Sequence, residues 1–143
     1  MTSQDQTIAQ LLADSRTIAV VGLSPKPDRP SFGVSRYMQS HGYRIIPVNP
    51  GHAGSTILGE HCYATLTQAA HTLGEQGVTI DIVNCFRRSE LIMPIADEAI
   101  AIRTRALWMQ QDIVNEAAAD KARAAGMIVV MDRCIKIDHM MTR

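Results

Sequence analysis

The sequence predicts an α/β chain with a Rossmann-like fold: a doubly wound, mostly parallel five-stranded sheet with helices on both faces. Short apolar, β-branched runs recur along it as TIAVVGL, YRIIPV, VTIDIVNCF, ALWMQ and MIVVMD, the composition of strands covered on both sides. Segments of helical period and length separate these runs, and parallel neighbours need such crossovers. No internal repeat, low-complexity stretch or linker interrupts the alternation, so residues 1–143 are expected to form one domain.

Each element follows from local signals. Ile8, Leu11 and Leu12 stand at helical spacing and predict a first helix ending near Ser15. Thr17 to Leu23 is the first strand, and Gly22 at its end marks a turn or a close approach to the backbone. Ser24 to Pro30 holds three prolines and two cations, which excludes a helix and predicts a loop. Ser31 is the expected N-cap of a helix running to His41, with Val34, Tyr37 and Met38 on one face and Gly42 closing it. Tyr43 to Val48 is the second strand, ended by the turn Asn49-Pro50-Gly51. Pro47 is expected to shorten that strand or make it irregular. Residues 52–66 carry the weakest pattern, with a short extended piece at Thr56 to Leu58. Thr67 to Leu73 predicts a brief helix, followed by a loop through Gly74 and Gly77. Val78 to Phe86 is the third strand. The next helix starts near Ser89 with a kink at Pro94, or near Met93, and runs to about Ile102. Ala106 to Gln110 is the fourth strand, Asn115 caps an alanine-rich helix ending at Gly126, and Met127 to Asp132 is the fifth. A short tail runs to Arg143.

Composition narrows the function. Fourteen Lys and Arg balance fourteen Asp and Glu, which removes the electrostatic case for nucleic-acid binding. The few aromatics do not alternate with basic residues as a base-stacking surface requires. No apolar run approaches the roughly 20 residues that span a bilayer. The N-terminus has neither a basic n-region nor a long apolar h-region and reads as mature sequence. Cys62, Cys85 and Cys134 form an odd set without C-x-x-C spacing, as expected of free thiols in a reducing cytoplasm.

In a doubly wound sheet, ligands bind beyond the carboxyl ends of the strands, near the point where strand order reverses. The segments expected there are Gly22 to Ser31, Asn49-Pro50, Phe86-Arg87-Arg88 and Gln110 to Ile113. A helix N-terminus flanked by Lys26 and Arg29 suits a phosphate-bearing ligand. The dinucleotide fingerprint G-x-G-x-x-G is absent, because Leu23, Ser24 and Pro25 follow Gly22. Asn49 stands where a ribose-gripping acid would be, and the P-loop lysine is missing too. Lys26, Arg29, Arg87 and Arg88 outnumber the carboxylates of these segments, Asp28 and Asp112, which suits several phosphates on one ligand better than one.

VGLSPKPDRPS, GYRIIPVNP, DIVNCFRRSE, ALWMQQDIVNEAA and GMIVVMDRCIKI together resemble the small stand-alone bacterial CoA-binding proteins. These are similar to the CoA-binding domain of the succinyl-CoA synthetase alpha subunit. The resemblance runs from about Thr17 to Ile137. It implies a coenzyme A cradle with Gly22, Leu23 and Ser24 near the pyrophosphate and Arg29 and Pro30 closing over it. Asn49 and Pro50 would border the nucleotide, and Phe86, Arg87, Arg88 and Gln110 would complete the rim. The family usually has glycine at the positions of Asp112 and, nearby in the preceding helix end, Arg103.

Other features have plainer readings. Gly51-His52-Ala53-Gly54 is similar to the phosphohistidine loop of the synthetase, but that loop belongs to a second domain, and here it reads as a turn. Glu60-His61-Cys62 lacks a second cluster at metal-ligand spacing. Cys85 reads as a buried hydrophobe, Trp108 as core, and Cys134 as a thiol that Arg133 and Lys136 would activate if it were reactive. Arg87 and Arg88 read as ligand contacts, or alternatively as a solvated pair; Ser24 as a ligand contact or the cap of its own turn. No nucleophile has an evident histidine partner. The leading expectation is therefore a non-catalytic binder of coenzyme A or an acyl-CoA, acting as carrier, sensor or regulatory module. The alternatives are an NAD(P)-linked or acyl-CoA-handling enzyme completed by a partner chain, and a scaffold serving protein contacts. A homodimer or a partner protein is compatible with all three.

Overall fold

A computed structural model describes residues 2–142. Seven strands and six helices follow in order: α1 (Ser3–Asp14), β1 (Thr17–Val21), α2 (Pro30–Ser40), β2 (Arg44–Val48), β3 (Thr56–Ile57), β4 (Glu60–His61), α3 (Leu66–Glu75), β5 (Ile82–Cys85), α4 (Ile92–Ala101), β6 (Ala106–Met109), α5 (Glu116–Ala124), β7 (Ile128–Val130) and α6 (Ile135–Thr142). The main sheet is five-stranded in the order β2-β1-β5-β6-β7, and every pairing in it is parallel. Strand order reverses between β1 and β5, which makes the crevice at their carboxyl ends the expected ligand position.

Strand alternation sends side chains to two separate cores. Ile18, Val20 and Trp108 pack with Ile8, Leu12, Met38 and Ile135 on the α1–α2–α6 face. Ala19, Val83 and Leu107 pack with Leu73, Ala99 and Ala122 on the α3–α4–α5 face. The expected doubly wound architecture is thus present, and Trp108 is fully buried, its Nε1–H donating to the Arg133 carbonyl at 2.7 Å.

Several local expectations are corrected. Ser31 is not the N-cap of α2; Arg29 is, without a side-chain capping bond, and Pro30 takes the first helical position. Proline suits that position because its fixed φ is helical and its missing N–H is not needed there. Ser31 Oγ instead accepts the Ser24 N–H at 3.0 Å and ties the loop to the helix.

Pro47 neither ends nor distorts β2. Arg44 N–H donates to Arg16 and the Val48 carbonyl accepts from Gly22, so those residues face β1. Pro47, one residue out of phase, turns its missing N–H to the open edge, where proline is tolerated. Its carbonyl still accepts the Tyr63 N–H at 3.0 Å.

Thr56 and Ile57 are extended as expected, whereas Leu58 falls in a turn, and the two pair with β4, which sequence reasoning missed. The turn places Leu58 at φ 51 and Gly59 at φ 80, a conformation whose usual Asn-Gly signature is absent. The third strand is shorter than expected at its start. Asp81 lies outside it and instead accepts the N–H groups of Arg16 and Thr17 at 2.8 and 3.0 Å, clamping the entry to β1. A 3-10 turn at Ser89–Leu91 precedes α4, and Pro94 falls in that helix's first turn. The supposed tail forms α6; Asp138 of that helix accepts from Arg133 Nε and Nη2 at 3.0 and 2.8 Å. Arg143 lies outside the described residues.

Candidate functional site

The loop between β1 and α2 lies at the carboxyl end of the sheet because Gly22 lets β1 end hard against β5. Gly22 has φ +92, and a Cβ there would sit 2.4 Å from the Phe86 carbonyl oxygen and 3.0 Å from Arg87 Cδ. Its own N–H donates across to Val48 at 2.8 Å. Three strand ends thus converge on one residue that cannot carry a side chain. From there the loop folds back on itself. Ser24 Oγ accepts the Lys26 N–H at 3.1 Å, so Ser24 caps its own turn. Lys26 in turn accepts from the Arg29 N–H, leading into α2.

This loop walls a cavity of about 350 Å³, which brings Lys26, Arg29 and His52 together with Gly22, Ser24 and Phe86. Among the described residues no carboxylate lines it. The Asn49 side chain fixes the far wall: Nδ2 donates to the Leu23 carbonyl at 3.0 Å, and Oδ1 accepts the Gly51 N–H at 3.0 Å. His52 therefore reaches the cavity from a short 3-10 turn, Pro50–His52, anchored at the end of β2. Sequence reasoning weighed His52 only as a phosphohistidine; its position just past a strand's carboxyl end was the signal that it lines the site.

A second cavity, of about 320 Å³, continues from the first. The two share Pro30 and Phe86, and Val34, Ile113, Gln110 and Cys134 extend the lining. The result is one trough along the strand ends, cationic at the β1–α2 loop and largely apolar beyond Phe86.

The CoA binding domain family matches residues 16–140. The chain belongs to this family. The uncharacterized protein YneT of Bacillus subtilis (strain 168) is 43% identical over 136 residues, covering 95% of this chain and 94% of YneT. Among solved structures, a Thermus thermophilus protein, cell-free ID.343, is 31% identical with a TM-score of 0.85, covering 100% of both chains. A hypothetical protein from Pyrococcus horikoshii OT3 is 32% identical with a TM-score of 0.86, covering 99% of this chain and 92% of that one.

In this CoA-binding domain the residues singled out by sequence divide by where their side chains go. Gly22, Ser24, Lys26, Arg29, Pro30, Ser31 and Phe86 line the cationic cavity, and Gln110 lines the apolar one. Leu23 does not reach the trough: its side chain is fully buried in the α1–α2–α6 core, and only its backbone lies near the loop. Asn49 shapes the wall, while Pro50 starts the turn that carries His52. Arg87 packs its stem over Gly22 and is half-buried. Arg88 is directed away into an exposed pair with Glu90 at 3.4 Å, the solvated arrangement. The glycine-like positions also have a physical account, since Asp112 and Arg103 adopt φ 70 and φ 59.

The thiols differ in setting. Cys85 is completely buried, and burial pushes its thiol up to about 12. Burial also raises Cys62, whose Sγ lies 3.7 Å from the Asn49 carbonyl oxygen. Cys134 is half-buried at the trough's far end. The guanidinium of its neighbour Arg133 is held by Asp138 and Asp5 rather than turned to the sulfur. Glu60 is likewise occupied, gripped by Arg44 Nε and Nη2 at 2.8 and 3.1 Å, which holds β4 to the sheet edge.

Proposed function

We propose that this protein binds coenzyme A or an acyl-CoA as a non-catalytic carrier, sensor or regulatory module of the cytoplasm. The observation that carries the reading is the shared lining of the two cavities at Pro30 and Phe86, which joins a cationic pocket to an apolar channel. Coenzyme A has the same polarity along its length, a polyphosphate nucleotide followed by a thin pantetheine arm. The Gly22 to Arg29 loop then acts as the phosphate-binding loop, with Lys26, Arg29 and His52 around the pyrophosphate. Val34, Phe86 and Ile113 flank the arm, and Gln110 lies beneath it.

The absence of a ribose-gripping acid at Asn49 argues against a dinucleotide in the same place. The trough hydroxyls are engaged in shaping the loop: Ser24 and Ser31 both accept backbone N–H groups. That supports binding rather than nucleophilic chemistry.

Isothermal titration with coenzyme A, NAD and ATP tests the reading. Coenzyme A is expected to bind most tightly. Equal or tighter binding of NAD overturns the proposal and favours an NAD(P)-linked enzyme.

A further inference from the structure

The trough does not stop at Ile113. Its apolar stretch shares Gln111, Asp112 and Cys134 with a third hollow of about 410 Å³, in which Asp132, Arg133 and Asp138 also stand. The charges there are unevenly matched. Arg133 is already taken, donating to Asp138 at 2.8 and 3.0 Å and to Asp5 at 3.1 Å. Helix α6 begins beside it, but Asp138 in its first turn offsets the partial positive charge of that end. Lys136 lies over the Tyr37 ring, turned toward α2. Asp112 and Asp132 are exposed and form no ion pair among the described residues. Asp132 Oδ1 accepts the Asp112 N–H at 2.6 Å, which holds the Asp112 backbone against the Asp132 carboxylate. The far end of the trough is thus negative where the near end is positive.

A second observation suits a ligand arm in the channel that leads to this hollow. Gln110 is only 3% exposed and lines the channel, with its Nε2 donating to Asn84 Oδ1 at 2.9 Å. Its side-chain oxygen has no partner among the described residues. That oxygen is accessible from the channel, where it can accept from an N–H donor such as the amides of a pantetheine arm. Asp112 lines the same channel, and the hollow with Asp132 is the next space beyond it.

Resting on the coenzyme A reading of the trough, we infer that this end discriminates by acyl charge. It admits the free thiol and neutral acyl groups and rejects those ending in a carboxylate, such as succinyl. Like-charge contact in a partly enclosed site is an effective means of excluding a wrong partner.

Titration calorimetry with coenzyme A, butyryl-CoA and succinyl-CoA tests this at low and moderate salt. Coenzyme A and butyryl-CoA are expected to bind within about threefold of each other, and succinyl-CoA about fivefold or more weakly. The gap should narrow with salt and close in the double variant Asp112→Asn/Asp132→Asn. Asparagine tolerates the φ of 70 and 60 at these positions and keeps the accepting oxygen, so the variant preserves the loop. An unfolding midpoint and circular dichroism spectrum like those of the wild type confirm its fold. Should the variant bind nothing, the ligand order and salt dependence of the wild type decide alone. Equal affinity for succinyl-CoA and butyryl-CoA overturns the inference while leaving the coenzyme A site intact. An undiminished gap in a double variant that still binds coenzyme A overturns it equally. Failure of all three ligands to bind the wild type overturns the coenzyme A reading itself, and this inference with it.

Discussion

A Cβ at Gly22 would lie 2.4 Å from the carbonyl oxygen of Phe86, so the ends of β1 and β5 meet with no room for a side chain. The obstacle is backbone, which cannot swing aside as a side chain could. With φ at +92 the residue is also in a region that only glycine occupies without strain. Gly22→Ala is therefore expected to cost about 3 kcal/mol of stability, before any ligand is considered. Urea unfolding checks this, and a midpoint equal to wild type would mean that the two strand ends do not touch.

Arginine substitutions separate trough residues from the surface. Arg29 lines the cationic cavity, whereas Arg88 is paired with Glu90 in solvent. A charge-assisted hydrogen bond to phosphate contributes about 1.5–3 kcal/mol, so Arg29→Ala should lose roughly ten- to a hundredfold in coenzyme A affinity. Arg88→Ala should change it less than about twofold. Calorimetry of both variants decides the matter.

Arg87 has no ion-pair partner among the described residues and lies beside Gly22. Arg87→Ala is expected to lose the preference for coenzyme A over dephospho-CoA, which differ by the 3′-phosphate. Equal losses for the two ligands would place that phosphate elsewhere.

Asn49 joins two segments through both ends of one amide, to Leu23 and to Gly51, each at 3.0 Å. Asn49→Ala should destabilise the protein by about 1–2 kcal/mol and weaken ligand binding, because the His52 turn loses its anchor. Thermal unfolding and calorimetry on the same variant test the coupling; full affinity at lowered stability would disconnect the turn from the site.

Thiol labelling reads the trough directly. Cys85 is inaccessible, with its thiol pushed up to about 12, and Cys62 is buried with its thiol also raised. Cys134 is the half-buried one, lining the channel. Native protein near neutral pH should incorporate one equivalent of a maleimide, located at Cys134 by peptide mass mapping. Coenzyme A should slow that reaction, and an unchanged rate at saturation would separate the channel from the ligand arm.

The primary sequence determined the five strands of the main sheet, the helices between them and the segments at the strand ends, because apolar period, caps and turns are local properties. Asn115 shows this, capping α5 through its bond to Ala118 as expected. What a loop side chain faces is not local, and there the tertiary structure decided. Ser31 accepts from Ser24 because Pro30 had already started the helix, and Leu23 turns inward because the α1–α2–α6 core lies on that side. Pro47 sits comfortably because its strand is an edge, and strand order is set by pairing among distant segments. The cations were visible in the chain, but whether each was free depended on partners: Glu90 for Arg88, and Asp5 and Asp138 for Arg133. His52 joined Lys26 and Arg29 only when the end of β2 was laid beside the loop after β1. Charge takes its meaning from what stands within a few ångströms, and that distance exists only once the chain has folded.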